Sequence, residues 1–211
     1  MTAVDVITPT FRVSYPYVFE PRPADDKGAR KYGVQMLFRV KPSQEYPHEK
    51  VVSIVDLQKA AYAGAVEKWG ADQKKWPAFT HNPFRKGSEG EYADKDGYGD
   101  GVIFVSANSD YKPGLVDQNN KVVLDRNLFY PGCYARALLK AHGWEYMGKK
   151  GVSFWVNHIQ LVADGEPLGG GTKAEDTFDP IPVPGGQAPA AGAAAAAAAP
   201  ADGGMFGGLG Q

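Results

Sequence analysis

The strongest constraint on the fold is a pair of strand-like segments in the second half of the chain, separated by a short glycine-flanked loop. Residues 133–142 alternate small apolar residues on one face with Arg136, Lys140 and other large residues on the opposite face, because successive side chains of a strand point to opposite sides. Residues 152–162 are rich in Val, Phe, Trp and Ile, which strands favour. The pattern predicts two strands joined by the loop 143–151, GWEYMGKKG.

This loop combines aromatic rings with positive charge. Trp144 and Tyr146 are followed closely by Lys149 and Lys150. Rings can stack on bases and ammonium groups can pair with phosphates, so the loop suits a single nucleic-acid strand. A hairpin whose aromatic residues pack against the core would have the same composition, and the loop alone leaves both readings open.

Three earlier segments also alternate in the manner of strands. They cover residues 7–19, 31–40 and 102–108. In the second segment, Lys31 and Arg39 share a face that we predict to be wet and basic. In the first segment, one face is predicted to be core and carries Phe11, Val13, Tyr15, Tyr17 and Phe19.

One segment has the spacing of a helix. Residues 46–70 carry apolar side chains at i, i+3 and i+4 positions, with Pro47 near the start and Gly70 at the end. Five main antiparallel strands, one packed α-helix and no parallel βαβ rhythm predict an all-β fold, a β-barrel of the OB-fold type. The helix follows the second strand, whereas the helix of an OB-fold usually follows the third.

An OB-fold binds its ligand between two loops, one joining the first two strands and one joining the last two. Here these loops are residues 20–30 and 143–150, and both are cationic. Two independent loops with matching chemistry favour nucleic-acid binding over a β-domain without a ligand.

Charge and composition change near the C-terminus. Residues 163–211 contain one Lys and six acidic residues, whereas the preceding 162 residues hold 22 cations and 18 acidic residues. The end of the chain is rich in Ala, Gly and Pro, with too few large apolar residues for a core. We predict a binding domain at residues 1–171 and a flexible, acidic, low-complexity tail at 172–211. Such a tail would compete weakly with nucleic acid for the basic body.

Motifs of catalysis, metal binding and membrane insertion are absent from the sequence. It has no P-loop, GxSxG, HExxH or CxxC motif, and its four histidines lie at no metal-ligand spacing. We therefore predict no enzyme activity, catalytic residue, metal site or cofactor. No apolar run is long enough to cross a bilayer, the N-terminus lacks the features of a signal peptide, and the single Cys133 fits a reducing cytoplasm.

Four short segments carry a recognisable pattern. They are GVSF…GEPLGGG within residues 149–171, RVSYPYVFEP at 12–21, KYGVQMLF at 31–38 and YPGCYARA at 130–137. Together they resemble a phage-encoded OB-fold single-stranded-DNA-binding protein family over about residues 7–171. The resemblance implies a protein that coats and protects single-stranded DNA, without sequence preference, during phage DNA replication and recombination. It also implies a location in the cytoplasm of the infected bacterial host.

The resemblance bears on partners as well. Similar binders recruit replication proteins through an acidic tail that ends in an aromatic residue, but here Phe206 is not terminal and the last residues are GGLGQ. Recruitment of phage or host replication proteins through the tail therefore stays open, and no membrane partner is expected.

Our hypothesis is that a basic groove follows the phosphates while aromatic rings stack on the bases. At mid-strand, Trp155 is equally suited to the core and to stacking. The alternative from another class is a phage structural β-domain, such as a minor tail or decoration protein, without nucleic-acid binding. The candidate cations are Arg12, Lys31, Arg39, Arg85, Lys86, Arg136, Lys140, Lys149 and Lys150, and the candidate stacking residues are Phe84, Tyr134, Trp144, Tyr146 and Trp155.

Overall fold

The computed structural model describes residues 5–22, 30–44 and 46–169 of the chain. The predicted tail at 172–211 and the centre of the loop 20–30 lie outside the described residues. One helix, α1, spans Val55–Trp69, and short 3₁₀ turns lie at Gln73–Lys75, Gly90–Tyr92 and Arg126–Leu128. The strands are β1 (Asp5–Ile7), β2 (Phe11–Tyr17), β3 (Tyr32–Arg39), β4 (Arg85–Lys86), β5 (Val102–Ser109), β6 (Gly114–Val116), β7 (Tyr134–Tyr146) and β8 (Lys149–Ala163).

Five of these strands close into a ring, in the order β2, β3, β5, β8, β7 and back to β2. This is the barrel that the sequence predicted. Neighbours in the ring are antiparallel except β5 and β8, which run parallel. The exception has a simple cause, because a ring with an odd number of strands cannot alternate direction all the way round.

The barrel interior is filled by every second side chain of the ring. Residues 135, 137, 139 and 141 of β7 are all buried, as the alternation predicted. Phe11, Phe38 and Phe154 are fully buried beside them. Cys133 is also buried, and burial raises the pKa of its thiol to about 11, so it is a core residue without thiolate chemistry at neutral pH.

The first barrel strand departs from the predicted alternation. Phe11 and Val13 point into the core, but Tyr15 and Tyr17 are partly exposed. The β2–β3 register shifts between Ser14 and Tyr17, and Tyr15 has a φ of 43°. This β-bulge turns the end of the strand outward, since one extra residue reverses the side-chain order beyond it.

Helix α1 packs against β7, β8 and β1. Gly64 allows close approach, because a Cβ there would lie 3.1 Å from the carbonyl oxygen of Ala141. Gly70, with a φ of 83°, ends the helix as predicted. The predicted start at residue 46 is wrong: residues 46–54 form an irregular segment that crosses the outside of the barrel.

A second, smaller apolar cluster lies on the outer side of β3 and β5. The irregular segment between β4 and β5 covers that side with aromatic rings. The half of the outer face near Ser106 and Asn108 remains outside this cluster. The members of the cluster are Leu37, Tyr98, Val102 and Phe104, with Tyr92 and Leu168 packed against them.

Candidate nucleic-acid interface

The outer face of β7 and β8 carries a row of rings and cations. Lys140 pairs with Trp155, and His142 pairs with Ser153, so all four side chains point away from the core. The rings of His142 and Trp155 stack with centroids 3.9 Å apart at an angle of 18°. Trp155 remains 44% exposed, which places it outside the core and leaves part of the indole surface open to a ligand.

Trp144 lies further along the same face and is held in a defined position. Its indole Nε1–H donates a hydrogen bond of 2.8 Å to Ser153 Oγ. Its ring centroid is 5.8 Å from that of His81, whose backbone bridges to Gly151. A ring fixed by a hydrogen bond loses little conformational entropy when a base stacks on it.

Arg85 extends the charged part of the face toward β5. Its Nη2 donates a hydrogen bond of 2.6 Å to Ser106 Oγ, and its guanidinium carbon lies 4.3 Å from the ring centroid of Phe104. Ala107 of β5 pairs with Phe154 of β8 across the parallel contact, and Ser106 and Ser153 come just before them in their strands. The Arg85 and Trp144 anchors are therefore on neighbouring strands and the same face.

Both imidazoles in this region are neutral at physiological pH. Burial lowers the pKa of His81, and the nearby Arg85 charge lowers it further. Burial also lowers the pKa of His142; a hydrogen bond with the Lys140 backbone opposes this shift, and the Lys31 charge adds to it. The outer face described so far is called the aromatic patch and is defined by six residues: His81, Arg85, Lys140, His142, Trp144 and Trp155.

The hairpin tip projects beyond the patch. Met147 and Gly148 have φ values of 47° and 75°, as the two central residues of a type I′ turn require. Tyr146 pairs with Lys149 just before the turn, and its side chain is 65% exposed. Lys150 Nζ lies 3.0 Å from Glu145 Oε1, so part of its charge is already compensated.

Lys31 connects the patch to the first loop. It follows the loop 20–30 and lies close enough to His142 to affect its pKa, while its Nζ is 3.3 Å from Asp110 Oδ1. The described end of the first loop therefore lies close to the hairpin ribbon, next to His142.

Three candidates lie near the patch residues in sequence but have other partners. Phe84 packs edge-on against the core residue Phe154, with centroids 6.0 Å apart. Lys86 is exposed and lies 2.7 Å from Glu89 Oε1. Arg136 lies further down β7, where its Nε donates a hydrogen bond of 2.7 Å to Gln160 Oε1.

Three more candidates meet far from the patch. Arg12 and Arg39 are 4% and 5% exposed, and both contact the carboxylate of Glu49, which also lies 3.4 Å from the hydroxyl of Tyr134. The expectation that Arg39 lies on a wet face is wrong. Arg39 is buried because the irregular segment 46–54 places Glu49 against the guanidinium groups of both arginines.

Sequence reasoning missed His81 and His142 as members of the interface. His142 shares the outward face of Lys140 by simple alternation, so the period of β7 could have identified it. His81 reaches Trp144 through a bridge to Gly151 that joins distant parts of the chain, and no local pattern indicates it.

The described residues contain no group of three or more His, Cys, Asp or Glu side chains placed to hold a metal ion. Within the same part of the chain, no helix is both long and apolar enough to span a membrane.

Comparison with known proteins gives a family match over most of the chain. The sequence model of the Enterobacter phage Enc34 single-stranded-DNA-binding protein family matches residues 4–187. Protein p50 of Acyrthosiphon pisum secondary endosymbiont phage 1 is 29% identical over 178 residues, which cover 81% of this chain and 90% of p50.

Solved structures of two phage proteins share the fold. The single-stranded-DNA-binding protein of bacteriophage Enc34, solved in complex with single-stranded DNA, is similar with a TM-score of 0.61 and 17% identity, over 78% of this chain and 89% of that one. The single-stranded-DNA-binding protein gp2.5 of bacteriophage T7 is similar with a TM-score of 0.50 and 17% identity, over 84% and 98% of the two chains. Both are named as single-stranded-DNA-binding proteins.

Proposed function

This chain belongs to the Enc34 phage single-stranded-DNA-binding protein family, and we propose that it binds single-stranded DNA without sequence preference. In this role it coats and protects exposed strands during phage DNA replication and recombination. The observation that carries the proposal is the aromatic patch, which combines partly exposed rings with cations on the outer face of an OB barrel.

The chemistry of the patch suits unpaired bases. Trp144 and Trp155 offer flat indole surfaces, and base stacking on an aromatic side chain is worth about 1–3 kcal/mol. The neutral rings of His81 and His142 extend these surfaces without repelling an apolar base face. Every base has such a face, so stacking supports binding without a preferred sequence.

The cations around the rings suit the phosphates. Lys140 pairs directly with Trp155, Arg85 lies close to His81, and Lys31 lies close to His142. Arg85 is anchored by Ser106, so a strand would meet this cation in a defined position, whereas Lys31 shares its charge with Asp110. Lys149, next to the exposed Tyr146, would extend the path to the hairpin tip.

The proposal also covers organisation and place of action. Residues 1–171 form the DNA-binding domain, and residues 172–211 form an acidic tail that competes for the cationic surface. The protein acts in the cytoplasm of the infected bacterial host, where phage DNA is copied, and it catalyses no reaction.

A fluorescence titration tests the proposal. Two of the four tryptophans lie in the patch, whereas Trp69 and Trp76 pack with Phe79 near the end of α1. Oligo-dT should quench the fluorescence of the full chain, and the apparent affinity should fall as the salt concentration rises. The Trp69→Phe, Trp76→Phe double variant should keep the quenching. A titration without quenching or binding would favour the structural β-domain instead.

A further inference from the structure

A second concave site lies at the other end of the barrel. A cleft of about 410 Å³ is lined by Arg12, Arg39, Glu49, Tyr134 and Ala163, together with neighbouring residues. Tyr134 begins β7 and Ala163 ends β8, ten residues of strand away from the Trp144 end of the ribbon. At about 3.4 Å per residue, the cleft lies roughly 30 Å from Trp144 along β7.

The cleft contains an unbalanced charge. Glu49 Oε1 accepts a hydrogen bond of 3.0 Å from Arg12 Nη1, and Glu49 Oε2 accepts one of 2.8 Å from Arg39 Nε. The remaining bonds of the two guanidinium groups go to the neutral carbonyl oxygens of Glu166 at 2.8 Å and Asp100 at 3.1 Å. Among the residues that the structure describes, one carboxylate thus faces two buried guanidinium groups, which leaves one positive charge uncompensated.

Each guanidinium group also keeps an unused donor. Arg12 Nε and Arg39 Nη2 are buried and have no hydrogen-bond partner among the residues that the structure describes. Buried polar groups are rarely left without an acceptor, and buried charges are rarely left without a counter-charge. An acceptor oxygen that carries negative charge would satisfy both requirements.

The surroundings of these donors fit a tetrahedral oxyanion. The exposed side chains of His48 and Lys50 line the same cleft, and the Lys50 ammonium group adds positive potential. The Tyr46 ring lies 5.2 Å from the Arg12 guanidinium carbon and 5.3 Å from that of Arg39, so it shields the pair on one side. Guanidinium groups are well suited to phosphate recognition, and each of the two keeps one unpartnered nitrogen here.

We propose that this cleft is an anion-binding site for a phosphate group, held between Arg12 and Arg39. The group is either a free phosphate ion or the phosphate at the end of a polynucleotide, since both present the same oxygens. The site stands apart from the aromatic patch, so it does not depend on the proposed binding of single-stranded DNA there.

The Arg12 Nε–H group provides a direct readout. In the full chain labelled with ¹⁵N, sodium phosphate should shift the Arg12 Nε–H resonance until it saturates, and sodium chloride at the same ionic strength should not. Equal responses to the two salts, or a response that never saturates, would overturn the proposal, because water alone would then satisfy the donors.

Matched variants separate a site from general electrostatics. Lys50→Gln at the cleft should weaken phosphate binding several-fold, whereas Lys59→Gln, which removes an exposed cation on α1, should leave it unchanged. Equal weakening by the two variants would rule out a specific site. Oligo-dT with a 5′-phosphate, compared with its 5′-hydroxyl form, identifies the source. A shift caused only by the phosphorylated form supports a polynucleotide end, and a shift caused only by inorganic phosphate supports the free ion.

Discussion

Replacing Trp155 by alanine removes the most exposed ring of the aromatic patch. The indole is 44% exposed, stacks on His142 at 3.9 Å and points away from the barrel core. Loss of one stacked base costs about 1–3 kcal/mol by alanine substitution. At about 1.4 kcal/mol per tenfold change, the affinity of Trp155→Ala for oligo-dT should fall by a factor of about 5 to 150.

Fluorescence anisotropy of a labelled oligo-dT at fixed salt measures this loss without relying on tryptophan emission. Tyr62→Ala is the matched control, because Tyr62 lies on α1 and is exposed to a similar extent, 46%. It should bind like the parent chain. Thermal unfolding of both variants should confirm that they are folded at the assay temperature.

Two results would refute the reasoning. If folded Trp155→Ala keeps the parent affinity, the patch does not stack on bases. If Tyr62→Ala loses as much affinity as Trp155→Ala, the effect comes from general destabilisation and the patch has no special role.

Four further predictions address charge. Lys140→Gln should reduce the slope of log affinity against log salt concentration by about 0.7, the value for one phosphate contact on a single strand. Titrations with oligo-dT at several salt concentrations measure this slope, and an unchanged slope would mean that Lys140 contacts no phosphate. Glu49→Gln should lower the free energy of unfolding by about 3–5 kcal/mol, because two buried guanidinium groups lose their anion. Urea denaturation measures this loss, and the control Asp56→Asn, at an exposed ion pair, should change the free energy of unfolding by less than about 1 kcal/mol. Because the pKa of His142 is lower in the folded chain, the unfolded chain binds its proton at a higher pH, and the free energy of unfolding should fall as the pH drops below about 6.5. The variant His142→Gln should show a weaker dependence of the free energy of unfolding on pH, and a pH profile identical to that of the parent chain would contradict this prediction. Deleting residues 172–211 should tighten oligo-dT binding, most strongly at low salt, and unchanged or weaker affinity would exclude competition by the tail.

The barrel was predictable because its strands carry regular, local patterns. In β7, apolar residues occupy every second position from 135 to 141, and the structure buries these and leaves the side chains between them partly or fully exposed. At the bulge beside Tyr15 the alternation of residue types continues although the backbone register shifts, and Pro16 is the local signal of it, because proline inside a strand is confined to edges and bulges. Periodicity reports which residues are apolar and is silent on where an extra residue interrupts the pairing.

The candidate site was predictable only in part, for a related reason. Trp144, Trp155 and Lys140 follow from the hairpin, whose partners are close in sequence. Arg12 and Arg39 are buried because both pair with Glu49, which lies in a segment that the sequence predicted to be the start of a helix. Ion pairs between distant segments leave no periodic trace, so a buried arginine and an exposed one look alike in the sequence.

The parallel contact between β5 and β8 has a consequence for how the protein assembles. It pairs Ala107 with Phe154, which are 47 positions apart in the sequence, so it is a long-range contact that requires the hairpin ribbon to pack against β5. Asn108 and Trp155 face outward on the two sides of this seam. The surface offered to a ligand is thus complete only in the closed ring, so a DNA strand bound across it would stabilise the ring against opening at this contact.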